Sequence, residues 1–579
     1  MCKMFLKQIK QKNGRVRLAI YESYRDGKIP RQRTVKPLGY LDELKEKHPN
    51  PVVWGKALAK QMTEEKRASE QAIEVKIYPK QKIDMRTTNE KNIGSAIVLS
   101  AYSALGIQTA LRSATRDQKF KYDINAILRL LVCERIVNPG SKLSAWQNRD
   151  KYFFRCNFSQ SDVYRSLGVL AGIKSKIISA MNRSIEQAGT RDLSAVYYDV
   201  TNYFFEIDKE DDLRRKGVSK EHRTSPIVQM GLLQDKNGIP LTYKLFPGNT
   251  TDCQTLIPVL NDMKREQKLK RIVTVADKGL NSSANIAASV ASGNGFVFSQ
   301  SIRGTKSGSA LRKWVLSESD YNGNDTFKIK SMQGYKTVHL KPDETDSGKA
   351  KDVEVDVKYV AFWSEKYARR ARKEREKVLA KAHDLINNPG AYNKTNHFGA
   401  AGYIKNIHFD KATGEVIDTH KLVLDEEAIK RDAAMDGYYV IVTSETAWSD
   451  ERILNTYREL WRIEETFKVT KSELKTRPVY VSVKDHIEAH FLTCYIALVI
   501  LRLLQLETGF SCKELKTEIS AMNCINFDAN WWTCARRTTN SDKIVGALGL
   551  EDLMLKHIQT KDAKGIVSKA LKWKLPHRK

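Results

Sequence analysis

Cysteine is scarce in this sequence, and no two cysteines stand close together. The eight cysteines are scattered along 579 residues without a single C-x-x-C motif. Zinc ribbons need paired cysteines, and disulfide frameworks need a dense set in a short chain, so we expect neither. This cysteine usage is typical of a protein of the reducing cytoplasm.

Long apolar runs are also lacking. The first residues, MCKMFLKQIKQKNGR, contain no apolar stretch of the length that a signal peptide uses. The most apolar segment, Phe491 to Leu504, is shorter than a bilayer-spanning helix and contains Arg502. We therefore predict a core helix there and no membrane partner.

Acidic residues are few relative to basic ones. The chain has 98 Lys and Arg against 68 Asp and Glu, a formal net charge of +30. Such an excess favours a polyanionic partner, because neutralising phosphates releases their counterions. A soluble basic protein without such a partner has the same composition, so charge alone does not decide.

The residue patterns divide the chain into six regions. A small N-terminal β unit is predicted for 1–60, and the helical pattern of 61–190 is a candidate for DNA binding on its charge and position. The remaining regions are a first core part at 191–300, a β-rich insertion at 301–430, the end of the core at 431–480, and a helical C-terminal region at 481–579.

The core regions have a recognisable order of elements. Strand patterns begin at Ser194, Pro226 and Leu241, and the last two are joined by the hairpin signal Asn237-Gly238. A helix, a strand from Arg271, a second helix and a strand from Gly295 follow. This β-β-β-α-β-α-β order is that of a ribonuclease H-like α/β core with a mixed sheet.

Two aspartates are candidates for catalysis in that core. Asp199 interrupts the buried pattern SAVYYDVTNYFFE, and Asp277 follows the strand that ends in Val275-Ala276. These strands are neighbours in the predicted fold, and the carboxyl edge of such a sheet is where ligands bind. A divalent ion such as Mg²⁺ would relieve the repulsion between two carboxylates, and a pair of ions supports phosphodiester chemistry.

A third acid is expected on the helix that follows the strand at Gly437. At about 100° per residue, Tyr457, Glu464, Lys468 and Lys471 fall within roughly a 60° sector of one helix. We rank Glu464 first for this reason, and Glu465, which points about 100° away, second.

Each of these residues also has an ordinary structural interpretation. Asp199 alone is compatible with a strand end, Asp277 with a turn before Gly279, and Glu464 with an exposed, salt-bridged helix face. Their order and strand positions in one basic chain favour the catalytic interpretation.

Several cationic segments are candidates for contacts with a nucleic-acid backbone. Arg214, Arg215 and Lys216, with Lys220 and Arg223 further on, follow the first strand; a solvated loop is the alternative. The basic helix YARRARKEREKVLAKAH, from Tyr367, allows the same two interpretations. The HIEAH segment at His486 lacks the H-E-x-x-H spacing of a zinc protease, so helix packing or DNA contact is expected there.

With these residues in place, the sequence resembles the DDE transposases of bacterial insertion sequences. It is most similar to the branch with a β-rich insertion and a Tyr-x2-Arg-x3-Glu-x6-Lys signature. Tyr457, Glu464 and Lys471 match that signature, whereas Leu460 stands at the Arg position, where Arg462 or Arg458 is a substitute. Asp199 matches the first acid of the family and Asp277 the second.

The resemblance implies an enzyme that binds double-stranded DNA at the terminal inverted repeats of its element. It implies Mg²⁺, with Mn²⁺ as a substitute and two ions in the site, held by Asp199, Asp277 and Glu464. It further implies strand cleavage, strand transfer to target DNA, and a homodimer on DNA in the cytoplasm. The alternatives are a ribonuclease H-like nuclease or resolvase, and a DNA-binding relative that has lost catalysis.

Overall fold

A computed structural model describes residues 4–11, 14–26, 29–68, 82, 88–218, 224–267, 271–303, 309–340, 342, 348–387, 399–409, 416–528 and 530–578. The chain divides into two compact units. The smaller consists of residues 1–89, 526–532 and 558–562, and the larger of 90–525, 533–557 and 563–579. Each unit has an apolar core of its own.

The smaller unit contains a three-stranded antiparallel sheet and two helices. Its elements are β1 (Met4–Lys10), β2 (Val16–Asp26), β3 (Ile29–Tyr40), α1 (Leu41–Lys47) and α2 (Pro51–Ala68). The three strands lie within residues 1–60, where a small β unit is predicted. Ile20 and Ala59 belong to the core of this unit, so α2 covers the sheet with its apolar face.

The larger unit begins with a short strand and a run of helices. They are β4 (Glu90–Asn92), α3 (Ser95–Ala104), α4 (Ile107–Ala114), α5 (Ile124–Val137), α6 (Lys142–Gln147), α7 (Gln160–Gly172) and α8 (Lys174–Gln187). The predicted helix α5 begins at the cap Asp123, whose carboxylate accepts the Asn125 amide at 2.8 Å, and it ends before Pro139 as expected.

The next elements confirm the predicted β-β-β-α-β-α-β order. They are β5 (Val196–Phe204), β6 (Ile227–Asp235), β7 (Pro240–Pro247), α9 (Leu256–Gln267), β8 (Val273–Ala276), α10 (Ser283–Ala291) and β9 (Gly295–Gln300). β5, β6 and β7 pair antiparallel, whereas β5, β8 and β9 pair parallel through the helical crossovers. The main apolar core lies between these strands and the faces of α9 and α10.

The region predicted as an insertion contributes to the same sheet. Its elements are α11 (Ser309–Leu316), β10 (Asn322–Gly323), β11 (Phe327–Leu340), β12 (Lys351–Ser364), α12 (Glu365–Asn387), β13 (Ile404–Phe409), β14 (Val416–Leu424) and α13 (Glu426–Ala434), followed by β15 (Tyr438–Thr443). β12 pairs with β15, which gives a nine-stranded mixed sheet in the order β10-β11-β12-β15-β9-β8-β5-β6-β7. Only β13 and β14 form a separate two-stranded sheet.

The rest of the chain is mostly helical. It consists of α14 (Asp450–Arg458), α15 (Trp461–Ser472), α16 (Lys484–Thr508), α17 (Cys512–Ala521), β16 (Asn523–Asp528), β17 (Trp531–Cys534), α18 (Thr539–Ala547), β18 (His557–Gln559) and α19 (Thr560–Ala570). Ser449 caps α14 as predicted, but the single helix expected from Tyr457 is interrupted. The amides of Leu460, Arg462 and Ile463 bond three residues back, which breaks the α-helical pattern between α14 and α15.

The most apolar segment lies in α16, which is long and apolar enough to cross a membrane by length and composition. Its apolar window is 94% buried inside the protein, as the core-helix prediction requires. Arg502 is part of this helix and is itself buried.

One cysteine pair forms a disulfide that the scattered cysteines did not predict, although a single bond is not a disulfide framework. Cys524 of β16 and Cys534 of β17 are bonded, with their Cα atoms 4.1 Å apart. The sequence places them ten residues apart without a motif. Only the pairing of the two strands brings them together, and strand pairing is not encoded in cysteine spacing.

Candidate active site

Asp199 and Asp277 lie on neighbouring parallel strands. The β5–β8 ladder pairs Val196 with Thr274 and Tyr197 with Val275. Asp277 remains extended, at φ −78° and ψ 179°, so continuing this register by two residues aligns Asp199 with Asp277. Adjacent strands lie about 4.8 Å apart, and residues paired in register point to the same face. This continued register would bring Asp277, which directly follows β8, level with Asp199 in the middle of β5.

The local contacts of the two aspartates differ. Asp199 is half-buried, and its Oδ1 accepts the Val200 amide at 2.7 Å. Asp277 is exposed, and its Oδ1 accepts the Gly279 amide at 2.9 Å in a turn. That turn ends the strand and leaves the second carboxylate oxygen of Asp277 outside this hydrogen bond.

The helices that carry the third acid run along β5 on the face of Asp199. The Tyr197 hydroxyl donates to the Thr456 carbonyl at 3.0 Å, and the hydroxyls of Tyr203 and Thr470 lie 2.7 Å apart. Six residues of strand span about 20 Å, and fourteen residues of helix span about 21 Å. The strand and the helices therefore run side by side in the same direction, with Asp199 between the two contacts.

Glu464 and Glu465 have different environments on α15. Glu464 is exposed, whereas Glu465 lies 3.3 Å from the Arg502 guanidinium, whose side chain is only 6% exposed. Arg502 also donates to the Thr466 hydroxyl at 2.8 Å. Glu465, whose side chain is still 36% exposed, is thus engaged in holding α15 on α16, and Glu464 is the more exposed of the two carboxylates.

Tyr457 interacts electrostatically with the second and third candidate acids, Asp277 and Glu464. Burial raises the pKa of Tyr457 above its usual value, its hydrogen bond with Ser299 lowers it, and the nearby carboxylates of Asp277 and Glu464 raise it. The phenol is thus within electrostatic range of both acids. Tyr457 belongs to α14 and Glu464 to α15, so the prediction that both lie on one continuous helix face is wrong for Tyr457.

The predicted cationic residues of the site differ in their exposure and in the groups that they contact. Lys468 is exposed on α15, and the Lys471 ammonium lies 5.6 Å from the centre of the Tyr203 ring. Arg462 is paired with Glu459, so it is already engaged by a carboxylate. Leu460, at the signature Arg position, is partly buried.

In the loop after β5, the arginines pair with acidic residues of the same loop. Arg214 pairs with Asp211 at 2.5 Å, and Arg215 lies 3.9 Å from Asp212. The Arg215 amide also bonds to the Ile227 carbonyl at 3.1 Å, which fixes this part of the loop beside β6. Lys220 and Arg223 lie outside the described residues.

The three candidate acids offer only carboxylate oxygens, which are ligands that divalent ions such as Mg²⁺ accept. Within the described ranges, no group of three or more His, Cys, Asp or Glu side chains has the arrangement of a metal site. Mg²⁺ usually takes only one or two protein carboxylates and keeps water and phosphate oxygens as its other ligands. The carboxylates of Asp199 and Asp277 fit that requirement, and the structure does not group the exposed Glu464 with them.

His486 and His490 do not form a metal centre. His490 is buried, with its Nδ1 2.9 Å from the Lys142 Nζ and its Nε2 2.8 Å from the Thr476 carbonyl. This confirms helix packing, one of the two expected roles, for His490.

A family model identifies the class of this protein. The model of the transposase DDE domain matches residues 204–500, slightly more than half of the chain. The chain therefore belongs to the family of DNA transposases that carry a DDE domain. The match contains Asp277 and Glu464 and begins five residues after Asp199.

A second model gives the branch. The N-terminal domain of IS1634 family transposases matches residues 6–73, so this enzyme is a DDE transposase of insertion sequences. Enzymes with this domain normally use divalent metal ions. Curated proteins yield no match. One solved structure, the piggyBac transposase synaptic complex with hairpin DNA, is 9% identical over 74% of this chain and 79% of that chain; its TM-score of 0.35 is too low to support an argument.

Proposed function

We propose that Asp199, Asp277 and Glu464 are the catalytic acids of this transposase and its ligands for divalent ions. The observation that carries the proposal is the register of β5 and β8, which, continued by two residues, aligns the first two acids. The side-by-side course of α15 and β5 supports Glu464 as the third acid.

The proposed core is a ribonuclease H-like fold formed by residues 191–300 and 431–480. The antiparallel β5, β6 and β7, the parallel β8 and β9, and the crossover helices α9 and α10 support it. The segment between the two parts is then an insertion that extends the sheet. The N-terminal unit and residues 61–190 are proposed to recognise DNA ends.

Mg²⁺, with Mn²⁺ as a substitute, would activate the attacking oxygen and stabilise the leaving oxygen, with two ions in the site. The chain itself would hold the acids in place and orient the scissile phosphate. Tyr457 and Lys471 are suited to phosphate contacts, since a phenol donates a hydrogen bond and an ammonium attracts negative charge. Lys468 would extend this cationic face, and Arg462 would join it if DNA displaces Glu459.

The proposed partners are the element's terminal inverted repeats and target DNA, bound as duplexes by a homodimer in the cytoplasm. The net charge of +30 supports a polyanionic partner. Arg214 and Arg215 are proposed to contact the cut strand, because their loop follows the strand of Asp199.

The test uses the full chain with duplexes that carry the repeats flanking its coding region. Wild type plus Mg²⁺ should nick these duplexes and join the free ends to a target plasmid. Asp199→Asn and Asp277→Asn should each lower cleavage by at least about 100-fold. Changing a residue that only supports a metal ligand usually costs about 10- to 100-fold, and the loss of a ligand itself should cost more. DNA binding should be retained, and the exposed Asp208→Asn is the matched control.

Each other outcome contradicts a part of the proposal. Cleavage retained in Asp199→Asn or Asp277→Asn removes that residue from the site. Cleavage without joining favours the nuclease or resolvase alternative, and binding without cleavage by wild type favours the inactive relative.

A further inference from the structure

Helix α12 has one face packed against the protein. Ala382 and Leu385 lie in an apolar cluster with residues of β13 and β14, and Ala368 is buried near the start of the helix. On the same side, Arg375 bonds to the Asp436 carboxylate at 2.6 Å, and Asp436 is 9% exposed. These contacts determine which way the helix faces.

The opposite face is cationic from Lys366 to Lys381, and the exposed Asp384 follows on the same side. All six members are exposed and fall within about a 120° sector at 100° per residue: Lys366, Arg369, Arg370, Lys373, Lys377 and Lys381. We call this set the α12 cationic stripe. From its first to its last member the helix rises about 22 Å.

The stripe repeats one sign of charge along the helix. Lys373, Lys377 and Lys381 follow one another at i and i+4, which destabilises a helix, and the acids Glu374, Glu376 and Asp384 at i and i+3 offset only part of this repulsion. Arg369 and Arg370 pair with Glu365 and Glu374, but these are exposed pairs of little strength. A bound polyanion would remove the repulsion.

The stripe begins beside the candidate active site. Ala371, Glu374 and Arg375 of α12 line one cavity together with Lys278, the residue after Asp277, and Ser299 of β9. A duplex whose scissile phosphate lies at Asp277 would thus have α12 next to its backbone.

We propose that the α12 cationic stripe binds the sugar-phosphate backbone of the duplex on one side of the scissile phosphate. Its length corresponds to about six base pairs at 3.4 Å each. The contacts are to phosphates, so they position the duplex without reading its sequence. This inference rests on the proposed function, which supplies the location of the scissile phosphate.

The test compares two triple variants that lose the same charge. One changes Lys373, Lys377 and Lys381 to Gln, and the control changes the exposed Lys513, Lys543 and Lys564 to Gln. Binding of a 40-base-pair duplex is measured without divalent ions over a range of salt. The stripe variant should lower the slope of log K against log salt by about 2 to 3, since each phosphate contact contributes about 0.9. The control slope should stay close to that of wild type.

A second measurement does not depend on affinity. A benzophenone side chain at position 377 should crosslink to the duplex, whereas one at position 372, about 140° away on the same helix, should not. Equal slopes for the two triple variants, or equal crosslinking at both positions, would overturn the inference. Failure of the proposed function is distinguishable, because it appears as cleavage that survives loss of Asp199 or Asp277.

Discussion

At the scale of single residues, neighbouring carboxylates have separate tasks. Glu464 and Glu465 are adjacent in sequence, yet one reaches solvent near Tyr457 and the other bonds to the buried Arg502. Helical geometry favours Glu464 as the third acid. The ion pair of Glu465 with Arg502 on another helix is an independent reason to assign Glu465 a structural role. The proposed catalytic acid and the structural acid are thus distinguished by what each side chain contacts.

This difference predicts opposite effects for two isosteric changes. Glu464→Gln should lower metal-dependent cleavage by at least about 100-fold, because the loss of a metal ligand should cost more than the loss of a residue that supports one. Its urea unfolding should stay near that of wild type. Glu465→Gln should retain cleavage but lose about 1 kcal/mol of unfolding free energy, because a charged hydrogen bond to Arg502 becomes neutral. Equal loss of stability in both variants would contradict the assignment.

At the scale of secondary-structure elements, a buried polar chain anchors the segment after α15. Lys142 of α6 contacts His490 of α16, and His490 contacts the Thr476 carbonyl. Arg135 of α5 donates to the Lys475 carbonyl at 3.1 Å beside them. The end of the helix that carries Glu464 is therefore held by three other helices.

This anchor predicts a pH dependence of stability. Burial, and then the charge of Arg135, lowers the pKa of Lys142 to about 7 from 10.5. Between these values the unfolded chain binds a proton that the folded chain lacks, so stability rises with pH by up to about 1.4 kcal/mol per unit.

The measurement is urea unfolding at pH 7, 8 and 9. The difference in unfolding free energy between wild type and Lys142→Met should grow with pH. The exposed Lys176→Met controls for the loss of a lysine. A difference for Lys142→Met that is constant or shrinks would rule out the buried, neutral lysine.

At the scale of the whole molecule, charge should dominate DNA affinity. With a net charge of +30, we expect several phosphate contacts. For six to ten contacts, affinity falls about 10³- to 10⁵-fold between 50 and 200 mM salt. Fluorescence anisotropy with a labelled duplex measures this, and a change of less than tenfold would show that the excess charge is not used for DNA.

The sequence by itself determined the order of the core strands, the α12 helix and the buried nature of α16. Period-two and period-3.6 patterns are local, so neighbouring residues suffice to specify them. Only the tertiary structure decided the break between α14 and α15, the pairing of β12 with β15, and the Cys524–Cys534 bond. It also decided that Glu465 bonds to Arg502, which lies 37 residues further along the chain. These features depend on contacts between distant segments, which form only when the chain packs.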